Sequence, residues 1–274
     1  MRWLVRFGYD GAPFRGWARQ PGVRTVEGEL RRGLIRSGAG GGESALSLEV
    51  ASRTDRGVSA RGNVLAFRSP LPGPALLRAL NGIDPQLFFT AAALIADSFR
   101  VRAAIRRTYR YFEALPARNA ALRAEATALF SGELDVRSLG RAIPQAHPVW
   151  RQVDSVTLWD VPGGAFWEIR APSFVWGMVR KIVAAIREVD AGRLSVPRLR
   201  SALDGTVRLN LPIAEPEPLV LWEVEYDVPW TVTWRGPNRA QTAAALHRTA
   251  ALWSRARVAE ALTVPTPVAA DAPA

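Results

Sequence analysis

Ser52-Arg53-Thr54-Asp55-Arg56-Gly57-Val58-Ser59-Ala60 sets one carboxylate between two guanidinium groups in a turn that Gly57 can bend. The charge pattern predicts an Asp55 held ionised by the two guanidinium groups beside it. Upstream, Leu46, Leu48 and Val50 alternate with Ser47, Glu49 and Ala51, the period-two signature of a strand with one buried face. Downstream, Asn63-Val64-Leu65-Ala66-Phe67 reads as a second strand. A lone carboxylate in a loop between two strands is placed to act on something bound from outside, because a rigid scaffold commonly displays its chemistry on loops. The same spacing also suits a turn cap or a solvated ion pair.

Working outward, Trp3, Val5 and Phe7 alternate with Leu4 and Arg6 as a first strand, ended by Asp10-Gly11-Ala12-Pro13. Thr25 can cap a helix over residues 26–37, with Val26, Leu30 and Leu34 on one face and a glycine run from Gly38 to Gly42 ending it. That run is not a dinucleotide fingerprint, since Glu43 stands where the third glycine is required and the order is helix then strand. Pro74 opens a short helix bearing Leu76, Leu77 and Leu80, closed by Asn81-Gly82. From Phe99 to Leu115, Arg100, Arg102, Arg106, Arg107 and Arg110 interleave with Tyr109, Tyr111 and Phe112. A strand of this composition suits an unstacked base, which needs charge for its phosphate and a flat surface for its ring. An ordinary strand with Tyr109 and Tyr111 on a buried face fits equally.

Further on, a strand over residues 166–171 precedes a helix whose buried face carries Val175, Val179, Ile182, Val183, Ile186 and Val189 and which stops near Gly192. Arg180 and Lys181 fall outside that stripe. Residues 219–226 close the pattern as a strand, and Leu246, Ala250 and Trp253 mark a terminal helix before a Pro/Ala-rich end expected to be disordered. Strands that look antiparallel, mixed with separate amphipathic helices, predict an α+β fold rather than a wound parallel sheet. The expected organisation is two similar halves, each a largely antiparallel sheet with helices on one face. Residues 1–105 form the half carrying the Asp55 loop, 106–230 the second half, and 231–274 the C-terminal helix and tail.

Composition narrows the chemistry. The 274 residues are 48% hydrophobic, enough for a sizeable core, and no stretch approaches the roughly 18 apolar residues of a membrane span. The amino terminus enters a strand pattern rather than a leader, so a cytoplasmic address is expected. With no cysteine there is no thiolate metal site, disulfide or cysteine nucleophile, and His147 and His247 are too few and too far apart to suggest a metal site. The sole lysine, Lys181, follows Arg180 and cannot complete a phosphate-binding Gly-Lys loop. The net charge of +11 points to a polyanionic partner, nucleic acid first, carried almost wholly by arginine, which can fork onto phosphates and stack on bases.

Five segments, in order, resemble the tRNA pseudouridine synthase A family. Arg53-Thr54-Asp55-Arg56-Gly57-Val58-Ser59-Ala60 is similar to its active-site motif. Tyr9-Asp10-Gly11, Phe14, Gly16-Trp17 and Thr25-Val26-Glu27-Gly28 are similar to its first strand and helix. Phe99, Arg102, Arg107, Tyr109 and Tyr111 match its arginine and paired-tyrosine segment. Phe174, Met178-Val179-Arg180 and Ile182-Val183 resemble its central helix, and residues 219–226 its closing strand. Arg56 and Ser59, where bacterial members carry a small residue and a histidine, resemble the archaeal or eukaryotic branch.

The resemblance implies an enzyme that isomerises uridine to pseudouridine in the anticodon arm of tRNA, at positions 38 to 40 in the usual tRNA numbering. It implies no metal and no organic cofactor, and a homodimer with a basic cleft. Carried over by residue, Asp55 is the essential carboxylate, Tyr109 stacks on the target uracil, Arg180 pairs with Asp55, and Arg53 supports the flipped nucleotide. Two alternatives stand beside it: a synthase acting on other uridines in tRNA or other RNA, and a catalytically silent RNA-binding module.

Overall fold

In the computed structural model, which describes residues 1–40, 46–113, 116–141, 149–161 and 164–234, the chain is α+β and built around one mainly antiparallel sheet. Strand β1 (Arg2–Tyr9) is followed by α1 (Val26–Arg36), β2 (Glu49–Val50) and β3 (Ser59–Arg68). Next come α2 (Gly73–Leu80), β4 (Leu87–Leu94) and β5 (Arg106–Glu113). Beyond these lie α3 (Ala120–Ala128), β6 (Gly132–Asp135), β7 (Trp150–Val153), β8 (Ser155–Val161) and β9 (Gly164–Ala171). Helices α4 (Met178–Asp190) and α5 (Val196–Leu203) and strands β10 (Leu219–Glu225) and β11 (Val232–Thr233) complete the order.

The large sheet runs β11-β4-β1-β3-β10-β5-β9-β8, with β2 paired to β3, while β6 and β7 form a separate ribbon. Every pairing is antiparallel except β3 with β10, where Ser59 and Ala60 face Val220 and Leu221. Those two residues end the Asp55 nonapeptide. The loop therefore emerges where strands from early and late sequence meet. Residue 105 falls between β4 and β5.

Local physics accounts for the elements. Thr25 caps α1 through its hydroxyl, which accepts from Gly28 N at 3.2 Å, an interaction typically worth about 1 kcal/mol. Leu30 and Leu34 on that helix are fully buried, as the periodicity predicts. Ser37 ends α1, and Gly38 follows at φ +69°, a conformation other residues adopt at a cost. Asn81 closes α2 and joins it to β4: its side chain donates to the Leu77 and Phe89 carbonyls and accepts from Phe89 N at 3.0 Å. A buried amide satisfied in this way fixes the helix end against the sheet.

Alternation along β5 and β9 divides their side chains between two faces. Tyr111 and Trp167 lie on the face covered by helices, where Arg187 of α4 stands over the Tyr111 ring and Arg123 of α3 over Trp167. Phe112 and Phe166 lie on the opposite face, with Trp159 of β8 beside Phe166.

Some expectations shift. The strand expected from residue 46 pairs only over Glu49–Val50, although Leu46 is buried as its alternation requires. The central helix starts at Met178 rather than Val175, because Gly177 before it is left-handed at φ +79°. Helices α3 and α5 and strands β6 to β8 were not foreseen; α3 has a weak apolar face, and β8 alternates little in burial. The terminal helix, the Pro/Ala-rich end, His147 and His247 lie outside the described residues. Within the last segment, Val232–Thr233 adds a short edge strand to β4.

Candidate active site

The nonapeptide is shaped by close backbone approach. Thr54 O accepts from Trp17 N at 3.1 Å, Val58 N donates to Asp55 O at 3.2 Å, and Gly57 turns the chain at φ +84°. A side chain at Gly11 would place its Cβ 2.3 Å from the Val58 carbonyl oxygen, so only glycine lets the turn after β1 lie against the loop. The Gly11 N–H then donates to the Ser59 hydroxyl at 3.0 Å, and the buried Tyr9 and Thr54 hydroxyls share a hydrogen bond of 2.8 Å.

Asp55 projects from this frame toward α4. Its Oδ2 accepts from Arg180 Nη1 at 3.1 Å and its Oδ1 from the Trp176 indole N–H at 2.8 Å. Both carboxylate oxygens are thus fixed by groups more than a hundred residues away. This corrects the local charge reading: among the described residues Arg53 and Arg56 are exposed and form no ion pair, and the cation on Asp55 is Arg180. The reason is directional. Asp55 reaches Arg180 and Trp176, whereas its two neighbours are exposed at the cleft wall.

Arg180 is itself held. Its Nε donates to Ala214 O at 2.6 Å, and Ala214 N returns a bond to Arg180 O at 3.2 Å. Seven residues along the same helix, Arg187 donates to Glu113 at 2.7 Å and to Glu215 at 2.8 Å. Two arginines spaced by two helical turns therefore fasten residues 214 and 215 to α4 just before β10. The periodicity placed Arg180 off the apolar stripe, and the structure gives it two partners there.

Tyr109 is buried beside this pair, with the Phe174 ring edge-on at a centroid separation of 5.2 Å. Burial pushes its hydroxyl up to about 12; the Arg107 cation and a Ser52 hydrogen bond act in the opposite sense, and the Asp55 charge adds to the rise. The phenol is therefore neutral near pH 7. Tyr111, two residues on, belongs to the core and bonds Glu215 at 3.2 Å.

Arg107 braces the walls. It donates to Ser52 Oγ at 3.1 Å, to Ala51 O at 3.2 Å, to Arg102 O at 2.8 Å and to the Pro172 carbonyl, joining the strand before the loop to the turn after β9. The space so enclosed is a cleft of about 960 Å³ lined by Asp55, Tyr109, Arg180 and Trp176, with Arg15, Arg53, Arg56 and Arg102 also contributing to its wall. All four residues singled out in the sequence thus line one cleft. Trp176 was missed. Its position four residues before Arg180 was the available signal, but tryptophan spacing alone does not distinguish a hydrogen-bond donor from packing. Trp176 is 55% exposed, so its ring is open to solvent while its N–H is engaged. Trp176→Phe, which keeps most of the ring and removes the donor, is expected to lower single-turnover activity roughly tenfold, about the value of one charge-assisted hydrogen bond, without changing the thermal midpoint.

Among the described residues no group of three or more His, Cys, Asp or Glu side chains could hold a metal ion, and no helix is long and apolar enough to cross a membrane. Comparison with known proteins fits the geometry. The family model described as tRNA pseudouridine synthase matches residues 126–227. The protein is 36% identical over 228 residues to the tRNA pseudouridine synthase A of Thermococcus kodakarensis, covering 82% of this chain and 85% of that one. The corresponding protein of Methanosphaerula palustris is 36% identical over 240 residues, covering 87% of this chain and 85% of its own. That of Pyrococcus furiosus is 34% identical over 230 residues, covering 83% and 84%. The chain belongs to the tRNA pseudouridine synthase family.

Proposed function

We propose that this chain isomerises uridine to pseudouridine in the anticodon stem-loop of tRNA, at positions 38 to 40, without metal or organic cofactor. The observation that carries the reading is the Asp55 carboxylate, fixed at both oxygens by Arg180 and Trp176 beside the Tyr109 ring in an arginine-lined cleft. The family is one of isomerases, and the reaction conserves every atom. The bond from ribose C1′ to uracil N1 breaks, C1′ joins C5, the C5 proton leaves and N1 gains one. Asp55 serves as nucleophile or as base at the sugar, and its two hydrogen bonds aim the carboxylate before the substrate arrives.

The target uridine must leave its stack to reach Asp55, at a cost of a few kcal/mol. Tyr109 offsets this by stacking on the uracil, and Arg53, exposed at the cleft wall without an ion-pair partner among the described residues, supports the flipped nucleotide. In this reading the buried, neutral Tyr109 ring serves as the platform. Tyr109→Phe should accordingly retain most activity, whereas Tyr109→Ala should lose roughly 1 to 3 kcal/mol of stacking. Wild-type activity in both variants would remove Tyr109 from substrate binding.

The division into halves at residue 105 is part of the same reading, supported by the parallel β3–β10 contact with antiparallel strands on either side. A homodimer in the cytoplasm completes it, with Phe112 and Trp159, exposed among the described residues, as apolar side chains for contact with a second copy. The test is tritium release from tRNA carrying 5-tritiated uridine, followed by mapping of the modified nucleotides. Release with pseudouridine at 38 to 40 is expected. Pseudouridine elsewhere would overturn the positional assignment, and no release would overturn the enzymatic one.

A further inference from the structure

A second cavity, also about 960 Å³, is lined by Arg137, Arg141, Lys181 and Arg208 together with residues 209–213. It shares structural supports with the Asp55 cleft. Arg141 stands over the Trp176 ring at 4.6 Å from its centroid, and the same indole donates to Asp55. Lys181 adjoins Arg180 in α4, so consecutive cations on one helix serve the two cavities. The residues following the lining segment return to the first site, since Ala214 accepts from Arg180.

The cations here are poorly compensated. No carboxylate lines the cavity among the described residues, and Arg137 of its lining is paired with Asp135 at 2.6 Å. Lys181 Nζ donates to the Ser138 and Gly140 carbonyls at 3.1 and 3.3 Å, neutral groups that orient the ammonium without cancelling its charge. Arg208 is exposed and forms no ion pair among the described residues. Burial, and then the charges of Arg141 and Arg208, push the Lys181 ammonium below the usual lysine range, the response of a cation among cations. Such a cluster gains most by admitting an anion.

We propose that this cavity seats a backbone phosphate of the RNA whose target nucleotide lies at Asp55, with Arg208 and Lys181 as its principal cations and Arg141 joining the two sites through Trp176. The inference rests on the function proposed above and adds a positioning subsite to it. A phosphate held on the far side of Trp176 fixes the strand relative to the flipped base while carrying no sequence information of its own.

The test measures tRNA affinity against potassium chloride concentration for wild type, Arg208→Gln and the charge-matched control Arg198→Gln, an exposed arginine of α5 that lines neither cavity. Losing one phosphate contact should lower the magnitude of the log–log slope by about 0.7 to 0.9 in Arg208→Gln, with Arg208→Lys restoring it and Arg198→Gln leaving it unchanged. Thermal midpoints accompany each variant; if Arg208→Gln unfolds early, Lys181→Gln replaces it with the same expected slope change. Equal slopes for wild type and both Gln variants would overturn the proposal. So would stabilisation by inorganic phosphate at constant ionic strength in wild type but not in Arg208→Gln, with tRNA slopes equal, because the cavity would then take only a free anion. Tritium release by wild type is followed in parallel: its absence overturns the function proposed above, while the slopes still decide for or against the phosphate subsite.

Discussion

Asp55→Asn is expected to reduce pseudouridine formation by at least about 10⁴-fold while leaving tRNA affinity within a factor of two or so of wild type. The amide has the size and shape of the carboxylate and keeps one oxygen for Arg180 or Trp176, so the loop loses little of its frame. It cannot act as a nucleophile at C1′ or as a base at the sugar. Because Tyr9, Thr54 and Gly11 fix the loop independently of the Asp55 side chain, the variant should also unfold at the wild-type temperature. The decisive measurement is single-turnover tritium release at saturating tRNA, paired with a binding isotherm. A variant turning over within tenfold of wild type would take the chemistry away from Asp55.

Arg180→Met should lower the single-turnover rate roughly a hundredfold, the loss associated with displacing a reacting group by an ångström or so. Methionine preserves much of the aliphatic stem and removes the guanidinium that joins Asp55 to the Ala214 carbonyl. The carboxylate then keeps only the Trp176 bond. An ordinary surface pair would be worth at most about 1 kcal/mol in stability and nothing in catalysis. This one is different in place: the Arg180 side chain is 12% exposed and the Asp55 side chain 29%. Coupling provides the sharper test. Since Arg180 and Trp176 hold opposite oxygens of one carboxylate, the double variant Trp176→Phe/Arg180→Met should lose an amount that departs clearly from the product of the single losses. Strict additivity, or an Arg180→Met rate equal to wild type, would mean that the two groups do not position Asp55.

Much of the frame was legible in the chain because it depends on short-range pattern. Period-two alternation located β1 and β10, a short apolar run marked β3, an arginine-and-tyrosine run marked β5, and the Thr25 cap with its 3.6-residue stripe located α1. The stretches that escaped reading lack such a pattern. Helix α3 buries the polar Arg123 and Thr127 beside Ala126, and Arg123 is matched at 2.8 Å by Asp190 from the end of α4, a partner that sequence distance conceals.

Apart from Trp176 the residues of the site were legible, and the pairing of Arg180 with Asp55 followed from the family resemblance but not from local pattern. Sequence by itself determined that Asp55 stands in a glycine-bent loop between strands, that Tyr109 belongs to an arginine-rich strand, and that Arg180 lies off the buried stripe of its helix, all of which follow from local sterics and hydrophobic periodicity. Local charge pattern pointed to Arg53 and Arg56 and the resemblance to Arg180; only the tertiary structure shows why Arg180 is the cation that meets the carboxylate. Arg53 and Arg56 are two residues and one residue from Asp55 in the chain, yet both are exposed at the cleft wall. The parallel pairing of Ser59 and Ala60 with Val220 and Leu221 brings β10 to the foot of the Asp55 loop, while Ala214, just upstream of that strand, holds Arg180. That pairing joins residues some 160 positions apart, and its formation depends on burying both strands in one sheet, a free energy contributed by the whole core rather than by any segment of it.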